Sequence, residues 1–217
     1  MSATLHHKGQ QVPVVADDWL SKIECLGAKG VIFDCDGTLV ESTEAHCRSM
    51  QVAAWDQGFV MAKDWYGART GLDRETLFCD FKNQVAPGLD VAKAIKGSIS
   101  GFRNHINTLH PIKQPVKLFQ TLCDKGCRVG VGTNAEREVA LLSLQAIGLL
   151  DRVSHLVSIS DGLPPKPAPQ IFERAANLMG LEREEVVVFE DSAQGVAAAL
   201  AAQMSVFQIE GEGKVLI

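Results

Sequence analysis

The amino-acid sequence predicts an α/β fold: a parallel sheet whose strands are joined by crossover helices, interrupted once by an inserted, mainly helical segment. Two observations point to it. Short apolar runs recur along the chain, each followed by small or turn-forming residues and then by apolar residues at helical spacing. The stretch from Glu41 to about Leu109 breaks that rhythm, being polar and helical in pattern without a convincing β-branched strand.

Residues 1–29 read as an N-terminal extension, in which Asp17 to Leu26 has the pattern of a short helix capped by Asp17 or Asp18. Strands are expected at Gly30–Phe33, Arg128–Val131, Val153–Ile159 and Val186–Phe189, with a fifth at Ser205–Ile209. Val116–Lys125, Glu136–Ile147, Pro169–Met179 and Ala193–Gln203 carry helical periodicity, and the alternation is Rossmann-like. Pro111 and Pro115 mark the return from the insertion, since each biases its predecessor away from helix. The core is thus expected over 30–40 and 110–217 and the insertion over 41–109.

With 217 residues the chain is large enough for a substantial core carrying a smaller inserted domain. An apolar fraction of 46% and a charged fraction of 22% exclude a disordered or fibrous chain. A net charge of −5 and a pI near 5.7 give no general attraction to nucleic acid or to an anionic membrane, so an anionic substrate needs a locally positive site. The first 20 residues hold no continuous apolar run, and the run from Val139 to Leu150 is interrupted by Ser143 and Gln145; a cytoplasmic location is expected. The cysteines, at 25, 35, 47, 79, 123 and 127, lack the paired spacing of a disulfide framework or zinc site. Cys123 and Cys127 read as small buried side chains, and all six as reduced thiols.

Strand alternation puts Asp34 and Asp36 of Asp34-Cys-Asp-Gly-Thr-Leu-Val40 on the same side as they leave the first strand. A solvated turn accounts for one Asp before Gly37 but not for two acids leaving a buried strand, where uncompensated charge is costly. A cation, or one acid ionised and the other protonated, offsets that cost. The strand at 128–131 leads into Thr133-Asn134, which offers a hydroxyl, an amide and backbone N–H groups to an anion, although Thr133 alone reads as an N-cap. The strand at 186–189 leads into Glu190-Asp191-Ser192; alone, these acids suit a helix N-terminus. Lys166, among the prolines of Leu163–Pro169, reads alone as a solvated charge. Jointly these readings are poor, because ligands of open α/β sheets bind beyond the carboxyl ends of the strands, where all these residues gather.

Asp34-Cys-Asp-Gly-Thr-Leu-Val40, Thr133-Asn134, Lys166-Pro-Ala-Pro169 and Glu190-Asp191-Ser192 resemble, in order, the four motifs of the haloacid-dehalogenase superfamily. The long interval between the first two resembles the subgroup with a helical cap inserted there, which makes 41–109 the cap. The resemblance implies a Mg²⁺-dependent phosphatase acting on a small phosphorylated metabolite, a sugar phosphate being the leading choice, with no role for nucleic acid or membrane. It leaves the oligomeric state unassigned, a monomer being the simplest case. Asp34 would be the nucleophile and Asp36 the general acid/base. Thr133, Asn134 and Lys166 would hold the phosphoryl group, and Mg²⁺ would lie among Asp34, Asp191, the Asp36 carbonyl and, through water, Glu190. Ser42-Thr-Glu-Ala-His46 and Thr70-Gly-Leu-Asp-Arg-Glu75 resemble linker and cap segments shared by sugar-phosphate phosphatases and β-phosphoglucomutase-like proteins, which puts His46 and Arg74 against substrate. The mutase is the alternative reading, weakened because its cap lysine is Thr70 here; a catalytically silent phosphoryl-ligand binder is the third. Gln203 stands where relatives usually carry Gly, and the sheet edge is expected to be abbreviated because the chain stops before a last strand and helix common in relatives.

Overall fold

The computed structural model describes residues 1–210; residues 211–217 of the expected core segment lie outside the described residues. The N-terminal extension departs most from expectation. β1 (Ser2–His7) and β2 (Gln10–Val15) form an antiparallel hairpin, and β1 also pairs antiparallel with β9 (Ser205–Ile209). The edge of the sheet is therefore extended by a hairpin from the other end of the chain. The turn is Lys8-Gly9, both at positive φ (48° and 77°), a two-residue hairpin connection. Only Ala3, Leu5 and Val14 of the hairpin are buried, too few to give a visible strand pattern. α1 (Trp19–Cys25) follows a 3₁₀ turn over Ala16–Asp18; Asp18 occupies the N-cap position without a side-chain capping bond, and burial of Trp19 and Ile23 anchors the helix.

β3 (Gly30–Phe33), buried along its whole length, is flanked in parallel by β6 (Arg128–Thr133) and β8 (Val186–Glu190), with Phe33 opposite both Val131 and Phe189. β7 (His155–Ser158) and β9 continue the parallel run, giving the order β2-β1-β9-β8-β3-β6-β7. Alternation along β3 sends Val31 and Phe33 to one face and Ile32 to the other. The first face is covered with help from Phe119 and Leu122 of α6 (Lys113–Asp124) and from Val139 and Leu144 of α7 (Arg137–Ala146). The second is covered by Ile171 and Phe172 of α8 (Gln170–Leu178) and Ala198 and Ala199 of α9 (Ala193–Ala201). Pro115 does not precede α6 but lies in its first turn, where its missing N–H is not needed. Cys127 is exposed and Cys123 partly so, correcting the expectation that both are buried.

β4 (Val40–Glu41) and β5 (His110–Pro111) pair as a two-stranded neck, and between them lie α2 (Thr43–Trp55), α3 (Lys63–Gly67), α4 (Arg74–Gln84) and α5 (Val91–Phe102). This helical layer buries an apolar cluster of its own around Met50, Tyr66, Leu77, Phe78 and Phe81. Asp73 and Asp90 cap α4 and α5 by accepting from the Thr76 and Lys93 amides, each at 3.0 Å. No helix among the described residues is long and apolar enough to cross a membrane.

Candidate active site

Because β3, β6 and β8 are adjacent and parallel, the residues that follow them come out side by side. Asp34 is tied to the sheet by its amide, which donates to the Phe189 carbonyl at 2.9 Å. The chain then turns sharply, Gly37 N–H donating to the Val40 carbonyl at 2.8 Å. Gly37 has φ +87°, and a Cβ there would lie 2.4 Å from a carboxylate oxygen of Asp191, so the turn requires glycine both for its conformation and for room.

Lys166 is the cationic centre of this edge. Its ammonium donates to Asp34 Oδ1 at 2.6 Å and to Glu190 Oε1 at 2.7 Å, and lies 4.6 Å from the centre of the Phe172 ring. The other Glu190 oxygen, Oε2, accepts from the Ser192 amide (2.7 Å) and hydroxyl (3.0 Å). Asn134 clamps the Lys166 backbone: its Oδ1 accepts from the Lys166 amide at 2.8 Å and its Nδ2 donates to the Lys166 carbonyl at 3.4 Å. Thr133 is buried at the end of β6, its hydroxyl accepting from the Ala135 amide at 3.0 Å. Oxygens of Asp34, Glu190 and Asp191 all lie within 4.8 Å of one another.

Asp34 and Glu190 thus share one ammonium, with Asp191 close by. Burial pushes the Asp34 carboxyl well above its ordinary range against the pull of Lys166, and Glu190, Asp191 and Asp36 push it further the same way. Burial by itself would lower the Lys166 ammonium, but Asp34 and Glu190 more than reverse this and keep it charged. Closely spaced carboxylate oxygens of this kind are the donor set that Mg²⁺ takes.

Asp36 faces the helical layer. Its Oδ1 accepts from the Ser42 hydroxyl at 2.7 Å and contacts His46 Nε2 at 3.1 Å. His46 Nδ1 in turn lies 3.2 Å from Nη2 of Arg74. A guanidinium can only donate, so in this contact Nδ1 accepts and Nε2 faces Asp36. Burial works to raise the Asp36 carboxyl, but contact with His46, the Ser42 bond and the nearby Arg74 charge outweigh it and leave Asp36 below its ordinary value.

Arg74, only 4% exposed, spends its other nitrogens on Ser98 Oγ (Nη1, 3.3 Å) and Glu136 Oε2 (Nε, 2.7 Å). Its ionic partner is the residue that opens α7 across the site. The loop before α4 also rests on the core: Gly71, at φ +90°, sits where a Cβ would come within 3.0 Å of Ser192, and its carbonyl accepts from Asn134 Nδ2 at 3.4 Å.

The structure therefore gathers Asp34, Thr133, Asn134, Lys166, Glu190 and Asp191 at one sheet edge and links Asp36, His46 and Arg74 in a chain of contacts above it. Sequence reasoning missed Glu136, Ser42 and Ser192 as partners in these networks. Ser42 and Ser192 had a signal, since each lies within a quoted motif; Glu136, read only as a helix start, had none.

A model of the haloacid dehalogenase-like hydrolase family matches residues 28–203. The chain is 35% identical over 182 residues to the fructose-1-phosphate phosphatase YqaB of Escherichia coli K12, covering 83% of this chain and 95% of that protein. It is 28% identical over 192 residues to the phosphoglycolate phosphatase of Rhodospirillum rubrum, covering 82% and 78% respectively. The crystal structure of CbbY from Rhodobacter sphaeroides in complex with phosphate superposes with a TM-score of 0.75 at 20% identity, over 82% of this chain and 84% of that one, a likeness of fold.

Proposed function

The chain belongs to the haloacid dehalogenase-like hydrolases, and on that premise we propose that it is a Mg²⁺-dependent phosphatase that hydrolyses a small sugar phosphate through an aspartyl-phosphate on Asp34. The observation that carries this reading is the buried Lys166 held between Asp34 and Glu190, with Asp191 alongside, at the ends of adjacent strands. Asp34, Asp191 and the Asp36 carbonyl would hold the metal. Glu190, whose oxygens already accept from Lys166 and Ser192, would act through water. Bound there, Mg²⁺ supplies the positive charge that lets an Asp34 carboxylate approach a phosphate dianion.

In the first step an oxygen of Asp34 bonds to phosphorus as the bond from phosphorus to the leaving oxygen breaks, and Asp36 gives that oxygen its proton. Lys166, fixed by Asn134 at its backbone, holds the transferring group in line. Water then attacks phosphorus, Asp36 takes its proton, and Asp34 is released as carboxylate. With His46 and Ser42 on its Oδ1, Asp36 is set as the base of this second step. A phosphoryl anion arriving beside it raises its affinity for the proton that the first step needs. The E. coli relative's name, a fructose-1-phosphate phosphatase, supports a sugar phosphate, and the layer over 41–109 would serve as the cap that excludes water.

Hydrolysis of a small aryl phosphate measured before and after chelation tests the assignment. Activity should vanish with EDTA and return with Mg²⁺; full activity after chelation contradicts it.

A further inference from the structure

Every nitrogen of the Arg74 guanidinium is engaged within the protein: Nε by Glu136, Nη1 by Ser98 and Nη2 by His46. Arg74 is the buried cation of the helical layer and is joined to Asp36 through His46. Glu136 cancels the Arg74 charge. The pair is well protected from solvent, with side chains 4% and 17% exposed, so screening by water does little to weaken either charge. The other cation of the site, Lys166, is committed to Asp34 and Glu190. Nearby on α7 and α3–α4, Arg137 faces Asp161, and Arg69 faces Trp65, Gln84 and Asp80.

We infer that Glu136 determines the substrate class by neutralising Arg74: the site takes monophosphates whose end remote from the phosphate is uncharged and hydroxyl-bearing, and rejects bisphosphates. This deepens the phosphatase reading and rests on it. A second phosphate entering between α4 and the start of α7 meets Glu136 and Asp36, with Arg74 already paired. Two carboxylates against one guanidinium repel a dianion. A sugar hydroxyl meets the opposite situation. A carboxylate has two oxygens and several acceptor positions, of which Arg74 Nε uses one, so Glu136 can accept from a hydroxyl without losing its ion pair. Removal of the Glu136 charge frees the guanidinium for the bidentate phosphate contact that arginine favours.

The experiment compares kcat/KM for a ketohexose 1-phosphate with that for the corresponding 1,6-bisphosphate, in Mg²⁺, for wild type and Glu136→Gln. Wild type should prefer the monophosphate by about tenfold or more, a difference typical of one like-charge contact in a water-poor site. Glu136→Gln, which keeps an acceptor for Arg74 but not the charge, should shrink that preference by about tenfold, mainly through a lower KM for the bisphosphate. If Glu136→Gln does not fold, the wild-type ratio still decides. A wild type that hydrolyses both esters equally, or a folded Glu136→Gln with an unaltered ratio, overturns this inference and leaves the phosphatase standing. A wild type that hydrolyses neither ester nor an aryl phosphate with Mg²⁺ overturns the phosphatase reading, and the inference with it.

Discussion

At the sheet edge, Lys166 faces Asp34 and Glu190 at 2.6 and 2.7 Å, all three held by the ends of neighbouring strands or the loop packed on them. Across the site, Arg74 reaches Glu136 at 2.7 Å from a helix of the layer above. Both are buried cation–carboxylate contacts of similar length, yet their charge balance differs. At the edge two carboxylates share one ammonium, with Asp191 close by. The Arg74–Glu136 pair is balanced. Similar contacts thus serve different ends: on the proposed function, a carboxylate-rich edge that would take up a metal and phosphate, and a neutral strut that ties the helical layer to α7.

The largest expected effect lies at the edge. Asp34→Asn should lower kcat by on the order of 10⁴-fold or more while the protein remains folded, since the substitution removes the nucleophile. Lys166→Ala should cost roughly 10²- to 10³-fold, as loss of a preorganised charge does. Steady-state hydrolysis of an aryl phosphate, with circular dichroism as the folding control, checks both; a loss of less than tenfold for Asp34→Asn breaks the contrast on the edge side.

Arg74→Ala should instead show itself in stability and in substrate choice. It strands Glu136 and removes bonds to Ser98 and His46, for an expected loss of about 2–4 kcal/mol in urea unfolding, near the lower end of buried ion-pair breakage because Glu136 keeps some solvent contact. A double-mutant cycle with Glu136→Ala should give a coupling of about 1–3 kcal/mol. In the same variant, kcat/KM for a sugar phosphate should fall several-fold more than for an aryl phosphate, which uses none of the contacts above the phosphoryl group. Equal losses on both esters place the effect in the core instead.

The smallest effect calibrates the others. Arg137 and Asp161 form a pair lying largely in solvent, with side chains 43% and 30% exposed, and Asp161→Asn should cost less than about 1 kcal/mol. Burial works to raise the Asp161 carboxyl, but the Ser158 amide and Arg137 outweigh it and leave it below its ordinary value. A carboxyl lowered in the folded state stabilises above its unfolded pKa and loses that contribution as pH falls through the folded one. The difference between wild type and Asp161→Asn should therefore be full at neutral pH and fade in acid. A difference as large as that of Arg74→Ala would erase the distinction between buried and exposed pairs.

Legibility in the sequence followed the same division. β3, β6 and β8 announce themselves as apolar runs because both of their faces are covered, and Asp34, Thr133 and Glu190 could be placed together because parallel neighbours end at one edge. Lys166 was recognisable by the motif around it, but its bond to Glu190 was not, since nothing local links α8's approach to β8. Glu136 was beyond reach: its partner lies 62 residues away, on a helix whose docking depends on the packing of a whole layer. The β1–β2 hairpin was missed because a short edge element buries few side chains, although Lys8-Gly9 carried the turn signal. Gln203 keeps a positive φ of 60°, so the backbone there follows the packing after α9 and not the preference of the residue.

On the proposed mechanism, Asp34 carries the phosphoryl group. A single turnover with ³²P-labelled sugar phosphate and Mg²⁺ is quenched in acid and divided, one half counted for protein-bound ³²P and the other reduced with borohydride, which converts an aspartyl-phosphate to homoserine and releases the phosphate. Acid-stable label is expected on the wild-type protein and, after reduction, conversion of residue 34 to homoserine in the peptide containing Cys35 and Asp36, with neither signal in Asp34→Asn. Complete turnover by the wild type with no label trapped and residue 34 unchanged, together with activity retained in Asp34→Asn, would contradict it.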